Sequence, residues 1–245
     1  GLPGSGGGQP ASGEDEPEFQ WHPPAWHDCD QPPTAPKTLT RETYGVLHQL
    51  EAVLEPFYVH QCFVTYIGEE ADYYHRIAAQ PWVKNICEIG FNAGHSAALL
   101  LTSNPNAHLY SFDLGVMRYS LPAVAFMKRH FGDRFTITVG NSTVTLPSFA
   151  EQRPDVKCDL MIVDGGHQFY ISRADIANFQ ALANPSQHLL LVDDTRCTRM
   201  ICEGPEMAWR EAVAAGVVRA LDRQGNSVQG WSLGNYTSVG KSWLE

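Results

Sequence analysis

Apolar and polar positions follow two rhythms along this chain. After Thr38, Leu47, Leu50, Leu54 and Phe57 recur at three- and four-residue spacing, which predicts an amphipathic helix ahead of any strand. Five short apolar runs follow: Asn85–Ile89, His108–Phe112, Phe135–Val139, Leu160–Val163 and His188–Val192. Each has strand length, and most end in a polar or glycine-containing turn. Helical patterns separate them. Ser172-Arg173-Ala174-Asp175 reads as a capping box, with Ile176, Phe179 and Ala183 on one face of the helix it opens. Pro205 is expected to open a further helix carrying Met207, Trp209 and Val213, and Gly216 to close it. Val217–Asp222 and Trp231–Thr237 read as two strands joined by a turn at Gln224-Gly225-Asn226. Strand alternating with helix predicts an α/β fold: a doubly wound, mostly parallel, Rossmann-like sheet with helices on both faces and a C-terminal antiparallel hairpin.

Composition divides the chain in two. Residues 1–36 hold eight of the sixteen prolines, a GSGGG run and the acidic cluster Glu14-Asp15-Glu16. Such a segment cannot offset its ordering entropy by burial, so a flexible extension is expected, with Trp21 and Trp26 as groups able to dock on the domain surface. Residues 37–245 are long enough for one domain with its own core.

The formal net charge of −10 and the lack of any basic run argue against nucleic acid or anionic lipid as a partner. No apolar stretch is long enough to span a bilayer. The six cysteines lack CxxC spacing; a disulfide framework is not expected in a chain of this size, and Cys87 reads as a small buried hydrophobe. The first residue is Gly1 rather than Met, so removal of a preceding segment is expected, and the expected location is cytoplasmic. The oligomeric state is left open, a homodimer included.

The most specific motif is Glu88-Ile89-Gly90-Phe91-Asn92-Ala93-Gly94-His95-Ser96, which follows a strand and opens a helix. On open α/β sheets ligands bind at the carboxyl ends of strands, and glycine there lets backbone approach them closely. The dinucleotide fingerprint would need glycine at positions 92 and 95, where this chain has Asn92 and His95, and the Gly-Lys-Ser/Thr of a phosphate loop is absent. About twenty residues on, the second strand ends at Asp113, placed to accept both hydroxyls of a ribose. The third ends at Gly140-Asn141-Ser142. Two further strand ends carry acids: Asp164-Gly165-Gly166-His167 and Asp193-Asp194. Three carboxylates converging at one sheet edge repel unless a cation or proton intervenes, and hard oxygen ligands suit Mg²⁺.

The pattern E-x-G-x-x-x-G-x-S resembles the first motif of class I S-adenosylmethionine (SAM)-dependent methyltransferases. D-G-x-H-x-x-Y followed by a strand ending in D-D resembles their small-molecule O-methyltransferases of the macrolide-sugar and cephalosporin-pathway type, and more distantly the catechol and caffeoyl-CoA type. The resemblance covers about residues 82–195. It implies that Glu88, Gly90, Phe91, Asn92, Gly94, Ser96, Asp113, Asn141, Ser142 and Asp164 bind SAM. It also implies that Asp164, Asp193 and Asp194 hold a divalent metal, Mg²⁺ first. Three residues beyond the first acid the catechol type carries a lysine base. Here that position is His167, which titrates near neutrality and is the expected proton acceptor.

The expected activity is methyl transfer to a hydroxyl of a small molecule. Tyr170, Arg196, Trp209 and Trp231 are candidates for the acceptor pocket; Arg196 and Arg199 read first as solvated surface charges and, as the alternative, as contacts for an anionic group on the acceptor. Two other classes stay open: a metal-independent methyltransferase acting on nitrogen or protein, and a noncatalytic SAM-fold module that binds a protein.

Overall fold

The computed structural model describes residues 33–59, 64–240 and 242–244. Of the predicted extension, residues 1–32 with Trp21 and Trp26 lie outside these. Residues 33–36 are tied to the domain: Thr34 bridges Ile67, and its hydroxyl accepts from the Gly68 backbone N–H at 2.8 Å.

The predicted strands are present as β1 (Asn85–Ile89), β2 (His108–Asp113), β3 (Phe135–Val139), β4 (Leu160–Val163) and β5 (Leu189–Val192), followed by a hairpin of β6 (Val218–Gly225) and β7 (Gly230–Tyr236). They form one seven-stranded sheet in the order β3-β2-β1-β4-β5-β7-β6. The first five are parallel, and β7 runs antiparallel to both β5 and β6. The strand order reverses around β1, so the carboxyl ends of β1, β2 and β4 open a crevice at the switch point.

Both faces of the sheet are covered, which is why its central strands read as nearly continuous apolar runs. On one face pack α1 (Arg41–Leu54), α2 (Gly68–Ala78), α3 (His95–Ser103) and α4 (Ser120–Phe131), with Leu50, Tyr74, Leu100 and Met127 in the core. On the other pack α5 (Ser142–Gln152), α6 (Phe169–Leu182) and α7 (Met200–Ala214), with Leu146, Phe179 and Trp209. Among the described residues no helix is long and apolar enough to cross a membrane.

Three expectations are corrected. Helix α6 begins at Phe169, three residues before the expected capping box; Ser172 lies inside it, and its hydroxyl donates to the Gly166 carbonyl at 2.9 Å. Helix α7 begins at Met200, and Pro205 sits within it. A proline in a helix removes one backbone bond, a cost here outweighed by burial of the turn around it, including Cys202, Gly204 and Pro205 itself. The cysteines are the third correction. Cys87 is no free hydrophobe but is disulfide-bonded from β1 to Cys158, buried just ahead of β4, with Cα atoms 5.8 Å apart. A second disulfide joins Cys197 and Cys202. The four described cysteines are thus all paired.

Candidate active site

The glycine loop between β1 and α3 forms the wall of a cleft of ≈ 440 Å³ at the switch point. Gly90 has φ +101°, and a Cβ there would lie 1.8 Å from the Asp164 carbonyl oxygen. No side chain fits, so glycine lets the loop after β1 press directly on the loop after β4. Gly94, at φ +86°, caps α3. Phe91 turns inward, against Phe135, with its ring against Gly94.

Glu88 lies beneath this loop, buried, and accepts from the hydroxyls of Ser96 and of Ser111, the latter at 2.8 Å. Burial pushes its carboxyl up to about 7, against the pull of those two hydroxyls. Glu88, Phe91, Gly94 and Ser96 therefore shape the loop from below. Gly90 and Asn92 line the cleft directly.

Asp113 lines it too. One carboxylate oxygen accepts from the Asn92 backbone N–H at 2.9 Å and the other from that of Gly115 at 2.7 Å. Each oxygen keeps a second lone pair for a ligand hydroxyl. Tyr119 fixes the neighbouring side chain by donating to Asn92 Oδ1 at 2.6 Å. Leu114, Val116 and Met117 give the cleft an apolar side. Asn141 and Ser142 lie along it, and Asn141 also caps α5 by accepting from the Thr143 N–H at 3.1 Å.

At the β4 end, Asp164, Gly165, Gly166, His167 and Tyr170 complete the lining. His167 Nε2 lies 2.8 Å from Asp194 Oδ2. Asp164, His167 and Asp194 can bring one ligand atom each within 4.8 Å of the others. The hydrogen bond that His167 donates to Asp194 raises the imidazole above its ordinary value, against the opposing effect of burial. Asp164 is pushed well above the carboxylate range by burial, then by the charges of Asp193 and Asp194.

Asp193, expected as a third metal ligand, is outside this group. Successive strand residues point to opposite faces, and here Leu191 joins the α1–α4 core while Val192 joins the α5–α7 core. Asp193 returns to the first face and meets Glu70 of α2, whereas Asp194, at φ +53°, turns toward His167 and α7. Glu70 is buried, and burial together with Asp193 raises its pKa well above the usual range; Asp193 itself is pushed up to about 7 by burial and then by Asp194. Two buried carboxyls in contact are favourable only when they share a proton, with Glu70 donating.

Glu70 carried no motif signal, since its contact with Asp193 comes from the packing of α2 on the sheet. Of the other pocket candidates, Tyr170 borders the cleft, whereas Arg196 is exposed and does not line it, its contacts being with Glu206 and the Arg223 carbonyl. Trp209 and Trp231 are buried core residues, Trp231 packing on Tyr73 at 5.4 Å between ring centroids.

Residues 87–195 match the family described as a methyltransferase domain. That match spans just under half of the chain. Glycine loop, Asp113 and the Asp164–His167 segment all lie within it. No curated protein sequence matches the chain. Among solved structures, cofactor-bound Rv0187 from MTB is similar at TM-score 0.65 and 16% identity, over 81% of this chain and 91% of that one. The O-methyltransferase TomG from Streptomyces achromogenes, solved with SAM, is similar at 0.60 and 17%, over 79% and 90%. The O-methyltransferase from Bacillus cereus, solved with SAH, is similar at 0.59 and 15%, over 80% and 92%. At these identities the likeness is one of fold. It is the class I methyltransferase fold, with the C-terminal hairpin expected from the sequence.

Proposed function

We propose that this methyltransferase domain takes its methyl group from SAM and transfers it to a hydroxyl of a small molecule. The observation that carries this reading is a single cleft with Asp113 and the glycine loop at one end and the Asp164–His167 segment, backed by Asp194, at the other. Asp113 would receive the ribose hydroxyls, the Gly90–Asn92 backbone would run along the methionine part, and Asn141 and Ser142 would meet the adenine. Glu88, Phe91, Gly94 and Ser96 contribute by fixing the loop. The SAM and SAH named with TomG and the Bacillus cereus enzyme support the same cofactor here.

Methyl transfer is an in-line displacement at a carbon that already carries a good leaving group, so positioning supplies much of the acceleration. His167 lines the same cleft and would take the proton from the acceptor hydroxyl, with Asp194 orienting its ring and stabilising the imidazolium so formed. The donor set fits a divalent cation. Asp164 and Asp194 would hold it, with His167 as the third donor in reach and Asp193 turned away toward Glu70. Two carboxylates suit Mg²⁺, while ligation by the imidazole would favour Mn²⁺ or Zn²⁺. A bound cation would lower the pKa of the acceptor hydroxyl and fix its oxygen.

A second reading is supported by the 2.8 Å contact between His167 and Asp194, which forms an acid–base dyad without any metal. Turnover in excess chelator separates the two. Calorimetry with SAM and SAH, followed by SAH release across a panel of hydroxylated acceptors, tests the reading as a whole. No binding of either ligand would defeat it. The two disulfides support an oxidising compartment rather than the expected cytoplasm, since mesophilic cytosol keeps thiols reduced.

A further inference from the structure

The two disulfides occupy different surroundings. Cys87 and Cys158 are both fully buried in the core beneath α5 and α6, 71 residues apart in sequence. Cys197 and Cys202 are 5 residues apart and close the loop that leads from Asp194 into α7. Cys202 is buried, but Cys197 is partly exposed.

Other contacts hold the start of this loop. The Thr195 N–H donates to the Gly230 carbonyl at 2.8 Å, the Arg196 N–H to Glu206 at 2.9 Å and the Thr198 N–H to the Ser227 carbonyl at 2.9 Å. Beyond Thr198 the backbone bond from Cys202 to the Arg199 carbonyl, at 3.0 Å, is local. The disulfide covalently closes the segment that contains Arg199 and Met200, where α7 begins. Its buried sulfur, Cys202 Sγ, lies 3.9 Å from Asp194 Oδ1, the carboxylate whose other oxygen meets His167.

We propose that Cys197–Cys202 is a thiol–disulfide exchange site beside Asp194, while Cys87–Cys158 is structural. A dithiol reductant attacks Cys197 Sγ as its thiolate; the S–S bond breaks and Cys202 leaves as a thiolate that takes up a proton. The second thiol of the reductant then resolves the mixed disulfide, releasing the Cys197 thiol and a cyclic disulfide, so two electrons pass to the protein. Reduction has two consequences. The turn from Thr198 to Ile201 loses its covalent closure, and Cys202 gains an S–H that can donate to Asp194, a bond the disulfide cannot make. One oxygen of Asp194 is then engaged, and its service to His167 or to a cation weakens. The exchange site stands on this geometry alone, whereas its effect on catalysis rests on the function proposed above.

The test is graded dithiothreitol treatment of the native protein, with alkylation mapped by peptide mass and backbone hydrogen exchange followed on residues 193–204. Alkylation of Cys197 and Cys202 is expected at least about tenfold faster than that of Cys87 and Cys158. Exchange across residues 198–202 should rise by about tenfold while the β-strands stay protected. Reoxidation should restore protection, and Cys197→Ser with Cys202→Ser should show the open pattern without reductant. Opening of both disulfides together, or selective opening with unchanged exchange, would overturn the proposal. Mn²⁺ titration in parallel reports on the metal alone: failure of Mn²⁺ to bind the oxidised protein would count against the metal reading and leave the alkylation and exchange results to decide this one.

Discussion

Gly204 of α7 sits so close to His167 that a Cβ at Gly204 would lie 2.1 Å from the His167 carbonyl oxygen and 2.6 Å from the Phe169 backbone nitrogen. The loop bearing the candidate base therefore rests directly on a helix backbone. Gly204→Ala gains about 1 kcal/mol in helix propensity. Against that, the clash is with backbone, which cannot rotate away, and overpacking of this kind costs about 1–3 kcal/mol. The clash should win: thermal unfolding is expected to fall by several degrees, and turnover to drop more than SAM binding. An unchanged melting temperature would show that α7 shifts freely and does not position His167.

Asp113 offers the next test. Asp113→Ala removes hydrogen bonds to a charged acceptor, expected to cost about 1.5–3 kcal/mol of SAM binding, or about tenfold to a hundredfold in Kd. Part of that loss comes from the freed Asn92 and Gly115 N–H groups. Asp113→Asn keeps one carbonyl for them and should recover part of the affinity. Calorimetry showing wild-type affinity in the Ala variant would remove Asp113 from the cofactor site.

The separation of Asp193 from Asp194 predicts unequal effects on metal binding. Asp164→Asn and Asp194→Asn should each weaken Mn²⁺ binding by at least about tenfold. Asp193→Asn should act less on the metal and more on stability, because it changes the buried contact with Glu70. Equal losses in all three variants would mean that a bound cation draws Asp193 away from Glu70, restoring the ligand set expected from the sequence.

How far the site was legible in the sequence follows from the range of the interactions involved. Asp113, Asp164 and the glycine loop sit at strand ends that local apolar runs mark out, so their convergence follows from topology alone. The divergence of Asp193 and Asp194 depends on the left-handed backbone at Asp194, just beyond the end of β5, which the adjacent spacing of the two acids does not show. Gly204 and Glu70 lie in helices with no motif, and only tertiary packing brings Gly204 to His167 and Glu70 to Asp193. The pairing of Cys87 with Cys158 spans 71 residues and leaves no local trace.

A buried carboxyl on α6 ties stability to pH. Asp175 is fully buried beneath Gly165, and burial pushes its carboxyl up to about 7, partly offset by the Ser142 hydroxyl. A raised folded-state pKa means the native state holds the proton more tightly than the unfolded chain. The stabilisation is present below the unfolded value, near 3.8, and is lost as pH rises to about 7. Three units correspond to at most about 4 kcal/mol. Asp175→Asn should flatten this dependence and raise stability at pH 8, read as denaturant midpoint against pH. A wild-type profile flat from pH 4 to 7 would show that Asp175 is ionised in the folded protein.

His167 is the group on which the proposed chemistry turns. Its Nε2 faces Asp194 at 2.8 Å, and Asp194 holds the imidazole above its ordinary pKa. In the absence of a cation the ring is therefore protonated over more of the neutral range, which disfavours it as a proton acceptor; a nearby cation acts in the opposite direction. His167→Ala should lower turnover by about 10²–10⁴-fold with SAM binding nearly unchanged. His167→Gln is the sharper variant, because an amide keeps a hydrogen bond to Asp194 but cannot take a proton at neutral pH. If His167 is the base, the Gln variant should be as impaired as the Ala variant, and its activity should recover as pH rises and the acceptor hydroxyl ionises unaided. If it retains near wild-type turnover at neutral pH, His167 is a positioning residue, and ionisation of the acceptor falls to a cation at Asp164 and Asp194.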